Sequence, residues 1–142
     1  LALSDDSQFL YVALRHVPRV ARINLTTWTA DLVFAPGTDP DHGPLYAEDL
    51  AVVPGSPRSV GVSRMSDAFL SPRHEGVAVY DDGVVRPVTT AMWDVANSIA
   101  FDAATGLMLS QSTNGLMNIT VDGERQMGMR MQQTMTCTVR AG

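Results

Sequence analysis

The run Pro36-Gly37-Thr38-Asp39-Pro40-Asp41-His42-Gly43-Pro44 holds the richest set of potential ligands in the chain. Asp39, Asp41 and His42 offer oxygen and nitrogen donors of the kind that hold a divalent cation. The alternating aspartates resemble the start of a calcium loop, but the glycine and the next acid are not at EF-hand spacing. An ordinary account stands beside this one. Proline and glycine fix turns, aspartate side chains cap nearby amides, and a loop histidine is solvated. His74-Glu75 suggests a base and its orienting acid. Neighbours on a strand point to opposite sides, so a loop after Ser71-Pro72 explains that pair more simply. Ser63 and Ser71 lie near histidines in sequence, but no Gly-x-Ser-x-Gly elbow exists to make a nucleophile. Met127, Met129 and Met131 share one strand face at period two. A copper–thioether site would want a histidine nearby, and there is none, so a core-facing strand is the simpler reading.

Composition narrows the chemistry further. The net charge is −5, all ten basic residues are arginine, and they are scattered. Nucleic acid and anionic membrane call for basic patches, so neither is expected as a partner. No run approaches the length of a membrane span. Cys137 is the single cysteine, which removes internal disulfides and cysteine-built zinc sites. With hydrophobic residues at 45%, the chain can build a core. It starts at Leu1 with no methionine and no signal-peptide pattern, as expected of a processed, excised or partial chain.

The elements that must position these residues follow a repeat. Leu1-Ala2-Leu3-Ser4-Asp5-Asp6, Leu50-Ala51-Val52-Val53-Pro54-Gly55 and Ile99-Ala100-Phe101-Asp102-Ala103-Ala104 each run from apolar residues into a turn cluster. Leu1, Leu50 and Ile99 stand at equal steps of 49 residues. Each unit continues with short strands. In the first these are Phe9–Ala13, Val20–Leu25 and Asp31–Phe34. In the second they are Ser59–Ser63, Gly76–Tyr80 and Val84–Val88, with Asp81-Asp82-Gly83 as a hairpin turn. In the third they are Leu107–Ser110, Gly115–Val121 and Gln126–Met131. No stretch makes a convincing helix. Four antiparallel strands per repeat of this length predict an all-β chain of β-propeller blades. A β-sandwich predicts evenly spaced strands without self-similarity at this period. The blades run over about 1–48, 49–97 and 98–131, with 132–142 as an irregular tail.

Leu1-Ala2-Leu3-Ser4-Asp5-Asp6-Ser7-Gln8-Phe9-Leu10-Tyr11-Val12-Ala13, followed by Val20-Ala21-Arg22-Ile23-Asn24-Leu25, resembles the YVTN-type repeat of seven-bladed propellers. That family includes surface-layer-like and lactonase-like proteins. Asp5 stands where proline is common there, and Ser7 where glycine is common. Leu50-Ala51-Val52, Val60-Gly61-Val62 and Ile99-Ala100-Phe101-Asp102 continue the likeness, which covers residues 1 to about 125. The resemblance implies an extracellular, cell-surface or periplasmic protein. It carries over no catalytic motif.

Antiparallel connectivity sorts the connections between two ends of each blade. Short turns fall at one end: 4–8, 26–29, 54–58, 81–83, 103–106 and 122–124. Longer links fall at the other: 15–19, 35–49, 64–75 and 90–97. Binding residues favour long loops on a rigid scaffold. The ligand-binding candidates are therefore Asp39, Asp41, His42, Arg64, Arg73, His74, Glu75 and Trp93. Changes at Asp82, on the short-turn end, should leave ligand capture intact. Glu48 and Asp49 precede the inner strand of the second unit, and Asn97 and Ser98 take the matching places in the third. Such positions line a channel mouth, where Glu48, Asp49 and Asn97 would hold a calcium ion or, more plainly, satisfy strand-start amides.

The expected function is a non-catalytic binding or scaffold module of a larger secreted or surface protein, contacting a protein, small-molecule or carbohydrate ligand through the loop-rich end. The alternative is part of a lactonase-like hydrolase with a divalent cation at the channel mouth. At 142 residues the chain is just short of three repeats, whereas closed propellers take four to eight blades. The missing surface must come from remaining blades or from self-association, and faces carrying Val77, Val79 and Met117 are expected to be exposed.

Overall fold

The computed structural model describes residues 1–14, 16–67, 74–87, 98–101 and 103, with backbone alone at 74 and in the strands at 108–111, 117–121, 124–129 and 134–137. The described residues are all-β, with strands that pair antiparallel.

Sheet 1 is a meander of β1 (Ala2–Leu3), β2 (Phe9–Ala13), β3 (Val20–Asn24) and β4 (Thr29–Phe34). The β1–β2 turn is fixed by its polar residues. Ser4 Oγ accepts the Phe9 N–H and donates to Asp6, whose carboxylate also accepts the Gln8 N–H. At the β3–β4 turn, Asn24 Oδ1 accepts the amides of Thr26 and Thr27. A small hairpin follows, β5 (Thr38–Asp39) and β6 (Gly43–Pro44), where the sequence suggests an open loop.

Sheet 2 repeats the meander with β7 (Tyr46–Val53), β8 (Ser56–Met65), β9 (His74–Asp81) and β10 (Val84–Val85). Its strands outrun their sequence-based limits. β7 starts at Tyr46, so Glu48 and Asp49 lie inside the strand rather than before it. β8 and β9 likewise carry Arg64, His74 and Glu75 on paired strands.

In the third unit β11 (Ser98–Phe101) pairs with β12 (Met108–Gln111) as the repeat requires. The third strand of that sheet is β15 (Thr134–Cys137), from the segment expected to be an irregular tail. Between them, β13 (Met117–Val121) and β14 (Glu124–Met129) pair, among the described strands, only with each other. The expected third strand of this unit is thus one arm of a separate hairpin.

The two four-stranded sheets stack face to face. Phe9, Tyr11, Val20 and Phe34 of sheet 1 meet Leu50, Val60, Val62, Ala78 and Tyr80 of sheet 2 in one core. The rings of Phe34 and Tyr80 lie 4.9 Å apart. Alternation sends Val77 to the opposite face, where it packs with Ile99, Ala51 and Phe101. Val77 and Val79 are each only 3% exposed, against the expectation of a bare face. Met117 lies in the strands described by backbone alone. Sheet 2 is covered on both sides, which is why β8 and β9 read as near-continuous buried runs. Gly61 permits the second contact: a Cβ there would stand 3.1 Å from the Phe101 ring and 3.3 Å from Ile99 Cδ1. With β7 packed against both β1 and β11, the arrangement is an incomplete, propeller-like stack of antiparallel sheets.

Candidate functional site

The stack has a short-turn end and a long-link end, as connectivity demands. At the short-turn end the turns hold one another. Leu25 N donates to Gln8 O, Gly55 N to Asp5 Oδ2, and Asp82 N to Arg58 O. The charges there are also consumed internally. Arg22, 3% exposed, forks onto both oxygens of Asp31 and reaches across to Asp82 of sheet 2. Its guanidinium lies 4.6 Å over the Phe9 ring. Arg58 also donates to Asp82, and Arg86 pairs with Asp81. The hydrogen bond from Arg22 holds the Asp82 carboxyl below its ordinary range, with Arg58 adding to the effect. The Arg86 hydrogen bond does the same for Asp81. Asp82 is a structural residue, so Thr27 is the cleaner control position at this end. Period-two alternation alone does not say that Arg22 turns inward.

The long-link end gathers residues from three separated segments. Asp39 comes from β5, His42 from the β5–β6 turn, Arg64 from the end of β8 and Glu75 from the start of β9. His42 Nδ1 lies 3.1 Å from Asp39 Oδ1 and 3.4 Å from Glu75 Oε1. Both carboxylates are buried while His42 is exposed. Burial pushes the Asp39 carboxyl up, but the backbone amides of His42 and Asp41, which donate to it, outweigh that and leave it lowered. Arg64 Nη2 donates to the Glu75 carbonyl at 2.8 Å, and its buried Nε has no hydrogen-bond partner among the described residues. The loop is pinned beneath by Tyr80, whose hydroxyl donates to Pro36 O.

Asp39, His42 and Glu75 each place one donor atom within 4.8 Å of the other two. The same contacts also form a self-contained ion-pair and hydrogen-bond cluster, with Asp39 Oδ1 already accepting two amides. Asp41 is exposed and contributes its backbone N–H rather than its side chain. Glu75 enters this cluster through His42 across the fold. The signal that leads to this contact is that the 35–49 and 64–75 links fall at the same end of the stack.

The proposed channel-mouth residues behave differently. Glu48 is the extra residue of a bulge between Ala47 and Asp49. Asp49 Oδ2 accepts the Ile99 N–H at 2.8 Å, tying β7 to β11 as a strand-start carboxylate would. Arg73, Trp93 and Asn97 lie outside the described residues, as does the side chain of His74. Among the described residues no helix is long and apolar enough to cross a membrane. No protein-family model and no curated protein matches the chain.

Proposed function

We propose that this chain is a non-catalytic binding or scaffold module, part of a propeller of the YVTN-like type, that takes a polar ligand at its long-link end. One observation carries this reading: Asp39, His42, Arg64 and Glu75, far apart in sequence, converge there. At the opposite end Arg22, Arg58 and Arg86 are spent on Asp31, Asp82 and Asp81. Two carboxylates and the Arg64 guanidinium stand side by side there, a pairing of acceptors with a charged donor. A hydroxyl-rich small molecule or carbohydrate matches that mixture, donating to the acids and accepting from Arg64. An extracellular, surface or periplasmic setting and a larger parent protein belong to the same reading and rest on the repeat resemblance. The lactonase-like alternative has less support, because Asp49 is engaged with the Ile99 amide.

The test is an NMR titration of the labelled chain with a panel of mono- and disaccharides, and separately with calcium chloride. Shifts confined to Asp39–His42, Arg64 and Glu75, and abolished by Glu75→Gln or His42→Ala, are the expected result. Shifts at the 5–8 and 24–28 turns, or shifts unchanged in both variants, would overturn the assignment. Binding of calcium alone would move the reading toward the metal-dependent alternative.

A further inference from the structure

His42 faces two buried acids, and one ring nitrogen cannot serve both. Its Nδ1 lies 3.1 Å from Asp39 Oδ1 and 3.4 Å from Glu75 Oε1, and the two acid side chains are 5% and 6% exposed. A ring nitrogen carries at most one hydrogen. Asp39 Oδ1 is already satisfied as an anion, since it accepts the Asp41 and His42 amides at 2.9 and 2.8 Å. Among the described residues, the cation paired with the Glu75 carboxylate is this same imidazole. Its distance exceeds the about 2.7–2.9 Å of a charge-assisted hydrogen bond. A carboxylate buried, aimed into the cluster and paired at that length calls for a further positive charge.

The spacing fits a metal ion. Two atoms bound tetrahedrally at about 2.0–2.1 Å from zinc stand about 3.3–3.4 Å apart. The two nitrogen–oxygen separations are close to that edge, and all three donor atoms lie within 4.8 Å of one another. One imidazole nitrogen with two carboxylate oxygens suits a first-row transition ion, whereas calcium takes a larger set of oxygens. The donors are also fixed in place. Turn amides hold Asp39, Tyr80 pins Pro36 O beneath the hairpin, and Arg64 Nη2 holds the Glu75 carbonyl. Three protein ligands leave a fourth position open, and His42, 42% exposed, marks the side that meets solvent.

We propose that Asp39, His42 and Glu75 hold one zinc ion, whose open position takes a hydroxyl or carboxylate oxygen of the polar ligand. Glu75 thus fills the place that the loop sequence offers to Asp41. The ligand half of this statement rests on the long-link reading above; the metal half stands on the three side chains alone.

The test titrates the full chain, first stripped with a chelator, with zinc chloride and separately with calcium chloride. Calorimetry reads stoichiometry and affinity, and NMR reads the place. One zinc per chain, with shifts centred on Asp39, His42 and Glu75 and far weaker binding of calcium, is the expected result. Glu75→Gln and His42→Ala each weaken zinc by about tenfold or more, while His16→Ala, in an exposed loop, leaves it unchanged. Cobalt(II) in place of zinc reads the geometry in the parent chain, so the answer survives a variant that fails to fold. Intense visible bands of a four-coordinate ion are expected; the weak spectrum of a six-coordinate ion overturns the site. Zinc affinity unchanged in Glu75→Gln, or lost as much in His16→Ala, also overturns it, as does calcium bound as tightly as zinc. The saccharide titrations, repeated with and without zinc, then part the two readings. Zinc bound with no saccharide response keeps the metal and discards its ligand. Saccharide binding that zinc leaves unchanged keeps the long-link reading and overturns the metal's part in it.

Discussion

Arg22 gives the sharpest test of how the sheets are held together. Its guanidinium is the buried member of the network, at 3% exposed, while Asp31 and Asp82 are 27% and 52% exposed. The cost of breaking the network therefore depends on which partner is removed. Asp31→Ala strips the fork from a buried cation and leaves it only Asp82 at the sheet boundary. Removing one partner of a buried pair costs about 3–5 kcal/mol, and partial exposure of Asp31 brings the expectation to about 2–3 kcal/mol. Arg22→Met removes the charge but keeps an apolar stem over Phe9. Both acids then rehydrate, so the loss is about 1–2 kcal/mol, mainly the cation–π contact and the charge-assisted hydrogen bonds net of water. Urea unfolding with a common slope measures both variants. Asp31→Ala is expected to be the more damaging. A double-mutant cycle of Arg22→Met with Asp82→Ala is expected to show coupling of about 1 kcal/mol, because Asp82 belongs to sheet 2. Equal or reversed ranking would refute the buried-cation argument, and strict additivity would refute the docking of sheet 1 on the β9–β10 turn.

Other expectations follow from single contacts. Gly61→Val forces two methyl groups against Phe101 and Ile99, and should cost about 2 kcal/mol in a thermal or urea melt. Asp49→Ala removes the acceptor of the Ile99 N–H and should lower stability by about 1–2 kcal/mol, with hydrogen exchange rising first at Ile99. Asp81 and Asp82 have lowered pKa values in the folded state. Their contribution is complete above the ordinary carboxylate pKa of about 4 and is lost as pH falls through the lower folded values. The stability deficit of Arg86→Met, full at neutral pH, should therefore shrink as pH falls below about 4, because the parent chain loses the Asp81 contribution that the variant already lacks. His42→Ala removes a side-chain partner from two buried carboxylates, so by the reasoning applied to Arg22 it should lower the melt measurably as well as removing the titration shifts described above.

The sequence disclosed its repeat because strands pairing in a stacked meander need apolar runs and tight turns at the same steps. Phe9–Ala13, Val20–Asn24 and the Asp82-Gly83 hairpin lie where alternation and turn chemistry put them. Alternation identifies a strand but not the direction its faces turn. In β3 it separates Ala21 and Ile23 from Arg22, and the structure turns the arginine toward sheet 2 and the apolar pair outward. Strand ends were hidden for a related reason. Glu48, Arg64 and Glu75 look like loop residues by type, yet the pairing of β7, β8 and β9 extends through them. The candidate site was legible as a set of residues on one end. Its actual contacts were not, because the distance between His42 and Glu75 is set by how the β5–β6 hairpin meets the start of β9.

Sheet 2 is held between sheet 1 and β11. A single NOESY spectrum of the labelled chain reads both interfaces at once. Cross-peaks between the Phe34 and Tyr80 rings, together with cross-peaks from Gly61 to the Phe101 ring and the Ile99 Cδ1 methyl, are the predicted result. Absence of either set, in a chain whose β8 and β9 amides show the expected strand pairing, would contradict the stacked arrangement.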